Sequence, residues 1–223
     1  MKLVAWISSA LAFLDQVLDG VRATSPLARN PVVLVHGIYS SGADFARLAR
    51  HLREEGHEVL TFDLIPNNGL VGLDELAEQL ADFVNVRLPE GRFDLVGFSM
   101  GGLVSRYYMQ RLGGAHRVDH FVTLAAPHHG TWMAWTNRLT GGHQMRRHSA
   151  FIRDLARDQN CLKNVRFTSF YTPLDLIVVP GASAEMPEAR NICLWALMHP
   201  SLILEKRCIR AVAKALKEEV MIL

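Results

Sequence analysis

Six short runs rich in β-branched and aromatic residues recur along the chain: Val32 to Val35, Val59 to Phe62, Asp94 to Phe98, His120 to Leu124, Phe167 to Tyr171 and Ile192 to Ala196. Each has strand length, and several are almost continuously apolar, as strands covered on both faces must be. Between them lie stretches of helical length at Asp44 to Glu55, Leu73 to Leu88 and Gly101 to Leu112, the last followed by a Gly113-Gly114 pair that favours a helix stop. This alternation predicts an α/β fold, a mostly parallel six-stranded sheet with helices on both faces. The chain has 223 residues, 49% of them apolar, and shows neither repeat nor long linker, so residues 30–223 read as one domain. Residues 131–164 form the longest insertion without a strand signal.

Residues 1–29 differ in character. Lys2 followed by Leu3 to Leu14 imitates a secretory signal, but no small-x-small cleavage site follows cleanly. Val4, Ile7, Leu11, Leu14, Leu18 and Val21 fall instead on one stripe of an amphipathic helix, with Trp6 and Phe13 at its edge. Asp15 and Asp19 interrupt the run well short of the roughly 20 apolar residues of a membrane span. The reading is a helix that packs on the domain or lies on a membrane surface, with a cleaved signal as the alternative. The compartment is accordingly read as cytoplasm or membrane surface ahead of secretion.

The 24 basic and 22 acidic residues are scattered, giving a net charge of +2 without the basic stripe that tracks a nucleic-acid backbone, so no nucleic-acid partner is expected. Cys161, Cys193 and Cys208 stand at no metal-ligand spacing, and an odd number cannot all pair internally. Buried free thiols are the expectation, a single bridge the alternative.

The chemistry concentrates at Gly97-Phe98-Ser99-Met100-Gly101. A G-x-S-x-G string is common by chance, but this one follows an apolar strand and opens a helix, the setting of a nucleophile elbow. The turn must be so sharp that the serine takes a strained backbone, and the glycines keep Cβ atoms out of the way. The helix start directs N–H groups toward developing negative charge. The competing reading is a glycine-rich turn with an incidental serine. His36-Gly37-Ile38 ends the first strand at the same edge of the sheet, so the N–H groups of Ile38 and Met100 are the candidate oxyanion donors, with His36 bracing the loop.

An acid and a base are expected beyond the serine. Asp175 lies just past the fifth strand and His199 just past the sixth, giving the chain order Ser, Asp, His. An aspartate there can hold the histidine Nδ1 proton and leave Nε2 to take the proton of Ser99. Asp63 also ends a strand but precedes the elbow, whereas Glu185 and Glu188 read as solvated loop charges. His128 and His129 read as loop-bracing residues, and no further ligands at recognisable spacing make them a metal site.

The segments PVVLVHGI, DLVGFSMGGLVSRYY, VTLAAPHHGT, YTPLDLIVVP and ARNICLWALMHPSL follow one another between Pro31 and about Ala213. Together they resemble the bacterial lipase and esterase group of the α/β-hydrolase superfamily, especially its small, nearly lidless triacylglycerol lipases. The resemblance implies the α/β-hydrolase fold and a serine carboxylester hydrolase working through an acyl-enzyme on Ser99, with Asp175 and His199 as acid and base and Ile38 and Met100 at the oxyanion. It implies no metal and no cofactor. The chain departs from the minimal family core in the segment before Asn30, and it has no counterpart of the calcium site of larger relatives.

Ile65, Leu70, Trp132, Met133 and Trp135 follow strand ends and are the candidate substrate-binding residues, suited to an acyl chain at roughly 0.8 kcal/mol per buried methylene. Each could equally cover the core. The expected partner is an acyl ester or lipid, including a lipid interface. An acyltransferase or thioesterase using the same triad is the alternative, and a non-catalytic lipid-binding scaffold is the third reading.

Overall fold

A computed structural model describes residues 29–217. The amphipathic helix expected before Arg29 lies outside the described residues. Six strands form one sheet: β1 (Val32–Val35), β2 (Val59–Phe62), β3 (Phe93–Phe98), β4 (Val118–Leu124), β5 (Arg166–Tyr171) and β6 (Arg190–Cys193). Their order is β2-β1-β3-β4-β5-β6, and every neighbouring pair is parallel. The sheet is therefore entirely parallel, because each connection is long enough to return the chain to the opposite edge before the next strand starts.

The helices are α1 (Ala46–Glu54, entered through a 3-10 turn at Gly42–Phe45), α2 (Leu73–Arg87), α3 (Met100–Arg111), α4 (Thr140–Gln144), α5 (Ala150–Arg157), α6 (Ser201–Leu204) and α7 (Lys206–Ala215). Alternation along β1 sorts the core into two layers. Val33 and Val35 pack with Leu76 and Leu80 of α2 and Leu103 and Val104 of α3. Val32 and Leu34 face the other way, against Leu48 and Leu52 of α1 and Ile209 and Val212 of α7. Period-2 strands thus present one apolar row to each helical layer, and each fully buried Leu or Val contributes roughly 1.5–3 kcal/mol.

Asp74 and Glu75 occupy the first turn of α2, where negative charge complements the helix dipole. Past α3, Leu112 N–H donates to Tyr108 O, and Gly113 takes the left-handed conformation at φ 79°, as the glycine pair predicts. The sixth strand begins at Arg190 and stops at Cys193 rather than running from Ile192 to Ala196. Its ladder gives out because Ala196 N–H turns back onto Leu194 O at 2.7 Å. All three cysteines are free; Cys208 is buried, whereas Cys193 is exposed because β6 is an edge strand. Among the described residues no helix is long and apolar enough to cross a membrane.

Candidate active site

The chain runs from β1 outward to β2, then crosses back to place β3 on the other flank of β1. Connections leaving β1 and β3 therefore diverge, opening a crevice at the carboxyl ends of these two strands. The residues after β1 meet the residues after β3 there. A Cβ added to Gly37 would stand 3.0 Å from the Ser99 Cβ, a tight contact that glycine avoids where the two turns approach.

Ser99 sits between β3 and α3 at φ 53°, ψ −123°, a backbone that non-glycine residues adopt only under constraint. Its N–H donates to Leu124 O at 2.9 Å and its carbonyl accepts from Gly102 N–H at 3.0 Å, which holds the turn from both sides. The flanking glycines are sterically required. A Cβ on Gly97 would reach 2.6 Å from Gly102 Cα, and one on Gly101 would run into the carbonyl oxygens of Val35 and His36. Met100 is the first residue of α3, so no carbonyl of its own helix accepts its N–H.

Past β5, Asp175 is buried, and its Oδ1 accepts hydrogen bonds from the N–H groups of Ile177 (2.8 Å) and Val178 (2.9 Å). Oδ2 lies 2.7 Å from Nδ1 of His199, the residue that follows β6. The imidazole lies against Phe98, with ring centroids 4.7 Å apart, and its buried Nε2 has no hydrogen-bond partner, Ser99 Oγ included. Ser99 and His199 line the same cleft, about 360 Å³ in volume, together with Ile38, Asp44, Ile203 and Leu204. A second cleft of about 460 Å³ meets the first at Ser99, Ile38, Tyr39 and Ile177, and its wall is apolar at Met133, Leu139, Met145 and Val178.

His36 is buried and braces the first loop. Its Nε2 accepts from Leu64 N–H at 2.9 Å, which leaves Nδ1–H to donate to Gly37 O at 2.8 Å. Asp63, the other strand-end acid, accepts from Gly42 N–H at 2.5 Å and ties the end of β2 to the 3-10 turn. His128 is buried. Ser169 Oγ donates to Ala184 O and Thr123 Oγ donates to Ser169, so Thr123 accepts from His128 Nε2–H at 3.1 Å. Burial, with help from the nearby Arg106 cation, pushes the His128 imidazole well below its ordinary value. His129 bonds Glu185 O at 3.0 Å, and burial lowers it as well.

Of the five apolar residues singled out in the sequence, Met133 lines the larger cleft. Ile65 and Leu70 are exposed. The Trp132 and Trp135 rings lie under the guanidinium groups of Arg147 and Arg146, at 5.5 and 4.4 Å. Several contributors carry no local signal in the sequence. Tyr39, Leu139, Met145 and Ile177 enter the cleft walls only through the fold. Thr131 Oγ1 donates to Ile177 O at 2.8 Å and accepts from Val179 N–H at 2.9 Å, joining the insertion to the Asp175 loop. Arg106, a buried cation on α3, donates to His128 O and Leu155 O at 3.1 and 2.9 Å; burial lowers its pKa to about 10. It clamps α5 onto the helix that follows Ser99.

Parallel sheet, crevice and strained serine together define an α/β protein built around a strand-to-helix elbow. The chain has the α/β-hydrolase fold: residues 30–139 match the family model described as alpha/beta hydrolase fold. It is similar to the human lysosomal thioesterase PPT2, 31% identical over 136 residues that cover 57% of this chain and 44% of that protein. The Drosophila melanogaster homolog of that thioesterase is 33% identical over 112 residues, 48% of this chain and 38% of that protein. The match thus spans less than half the length of these relatives. Among solved structures, the mature form of Bacillus licheniformis lipase BlEst2 superposes with a TM-score of 0.69 at 20% identity, covering 86% of this chain and 93% of that chain. Aspergillus fumigatus lipase B does so with a TM-score of 0.73 at 21% identity, covering 86% of this chain and 53% of that chain.

Proposed function

We propose that the chain is an acyl hydrolase of the lipase and esterase type, acting through an acyl-enzyme on Ser99. The observation that carries this reading is the pairing of His199 Nδ1 with Asp175 at 2.7 Å, with the buried Nε2 left unpartnered on a residue that lines the same cleft as Ser99. Nε2 takes the Ser99 proton as Oγ attacks the substrate carbonyl, and Nδ1–H stays on the Asp175 carboxylate. The oxyanion is held by the N–H groups of Ile38 and Met100. Nε2–H then protonates the departing alcohol or thiol, and water, activated by the same nitrogen, releases the acid. In free enzymes the nucleophile–base contact is often long and tightens with substrate, so its absence here is compatible with this role.

The two clefts divide the substrate. The leaving group must lie near Nε2 to receive its proton, in the cleft lined by His199, and the acyl chain then extends along Met133, Leu139 and Met145 in the larger one. The rim suits a lipid surface. Of the sixteen large apolar side chains exposed among the described residues, all but Val86, Leu112 and Leu204 sit in connections leaving the carboxyl ends of the strands. A parallel sheet turns all those connections to one side, and an exposed apolar patch of this kind marks an interaction surface.

The similarity to PPT2 supports a second reading in which the bond cleaved is a thioester. Labelling by a fluorophosphonate probe and turnover of nitrophenyl esters, both lost in Ser99→Ala, would bear out the acyl-enzyme. A protein that fails to label, or a variant that keeps its turnover, refutes it.

A further inference from the structure

The leaving-group cleft shares Leu204 with a groove of about 490 Å³ between α1 and α7. Arg47 and Arg50 stand three residues apart on α1, and Lys206 and Arg210 four apart on α7, so each pair shares one helix face, and both pairs line this groove. One carboxylate, Glu54, stands among them, and its 3.9 Å contact with Arg50 is an exposed pair of little energetic worth. Arg47 makes a 3.5 Å contact with Leu204 O, whereas Lys206 and Arg210 have no hydrogen-bond or ion-pair partner among the described residues. Four cations lining a concave surface with one counter-charge repel one another, and a bound anion removes that repulsion.

We propose that this groove binds phosphate groups on the leaving portion of the substrate. The proposal rests on the acyl-hydrolase reading, which puts the leaving group on the His199 side. The spacing of charges refines the substrate class. Asp44 lines the inner cleft, and hydrogen bonds from the Ser40 hydroxyl and the Ser41 N–H hold its carboxyl below the usual range. A phosphate is disfavoured where Asp44 lines the inner cleft and favoured beyond Leu204. The leaving group that fits is an alcohol or thiol with a neutral spacer followed by phosphates, of the kind found in a nucleotide-linked thiol. Guanidinium and ammonium groups supply the charge-assisted donors that phosphate oxygens need.

The test compares substrates that share one acyl chain, using the full chain. Acyl-coenzyme A is set against acyl-pantetheine, which lacks the nucleotide and its phosphates, and lysophosphatidate against monoacylglycerol. The wild type should favour the phosphorylated member of one pair at least tenfold in kcat/KM, with the advantage shrinking as salt rises. Which pair shows the advantage tells whether the phosphate arrives on a soluble thiol or a lipid headgroup. In Lys206→Gln/Arg210→Gln the ratio should fall to within threefold. Equal turnover of both pairs by the wild type, or an advantage that survives the double substitution, overturns the proposal. Calorimetric titration with 3′,5′-ADP and with glycerol phosphate reads the groove without turnover. Binding that disappears in the variant upholds the groove even if no ester is cleaved, and absence of binding to the wild type counts against it.

Discussion

His199 Nδ1 stands 2.7 Å from Asp175 Oδ2, and the other nitrogen of the ring is buried without a partner. The carboxylate is itself aimed by Ile177 and Val178, whose N–H groups both donate to Oδ1. The loop backbone orients the acid, the acid orients the imidazole, and Nε2 is left without a hydrogen-bond partner.

That chain of orientation makes Asp175→Asn informative. An asparagine that keeps its oxygen on Ile177 and Val178 turns its NH2 toward Nδ1, which must then accept, moving the ring proton to Nε2 and disabling the base. We expect kcat on a nitrophenyl ester to fall roughly 10⁴-fold with the melting temperature little changed. A loss under tenfold in a folded variant would remove Asp175 from its proposed role.

Gly101→Ala tests the elbow. The added methyl meets the carbonyl oxygens of Val35 and His36, which belong to β1 and its loop and cannot rotate away. Destabilisation on the order of 3 kcal/mol or more is expected, read as a shift in the urea midpoint. A variant as stable as the parent would mean that β1 and α3 are not in this contact.

Met133 offers a test of which cleft takes the acyl chain, because it lines the larger one only. Met133→Ala removes side-chain contacts there, so kcat/KM for an octanoate ester relative to a butyrate ester should drop about threefold to tenfold, one to two methylenes' worth. An unchanged ratio across the chain-length series would redirect the acyl chain elsewhere.

His128 sets an acid limit on stability. Its folded pKa is depressed by burial below the ordinary 6.5, so between the two values the unfolded chain binds a proton that the folded chain refuses. Stability is therefore full above about pH 6.5 and is lost as pH falls below it, by at most about 1.4 kcal/mol per pH unit from this group. His128→Gln, which can still donate to Thr123, should flatten the urea midpoint between pH 6.5 and 5. The same slope in parent and variant would assign the loss to other groups.

Much of the fold is legible because its signals are local. The bounds of β1 and β2 coincide with the runs Val32 to Val35 and Val59 to Phe62, and α2 and α3 fall within a residue of their apolar periodicity. The sixth strand is displaced because edge strands face water on more sides and carry a weaker apolar pattern; Arg190 and Asn191 are exposed. The elbow string and the chain order Ser, Asp, His single out Ser99, Asp175 and His199 without coordinates. The cleft walls are another matter. Trp132 and Met133 are adjacent and equally apolar, yet Met133 faces the cleft while Trp132 lies under Arg147.

The sequence alone determined the strand and helix alternation, the sharp glycine-flanked turn at Ser99 and the loop after β1, because periodicity and steric fit act between near neighbours. It could not show how charge gathers. Its 24 basic residues look scattered, yet Arg47 and Leu204, 157 positions apart, touch, and the cations of α1 and α7 come to line one groove. Only the packing of two helices on the same face of the sheet brings those segments together, since Coulomb forces follow distance in space and are indifferent to distance along the chain.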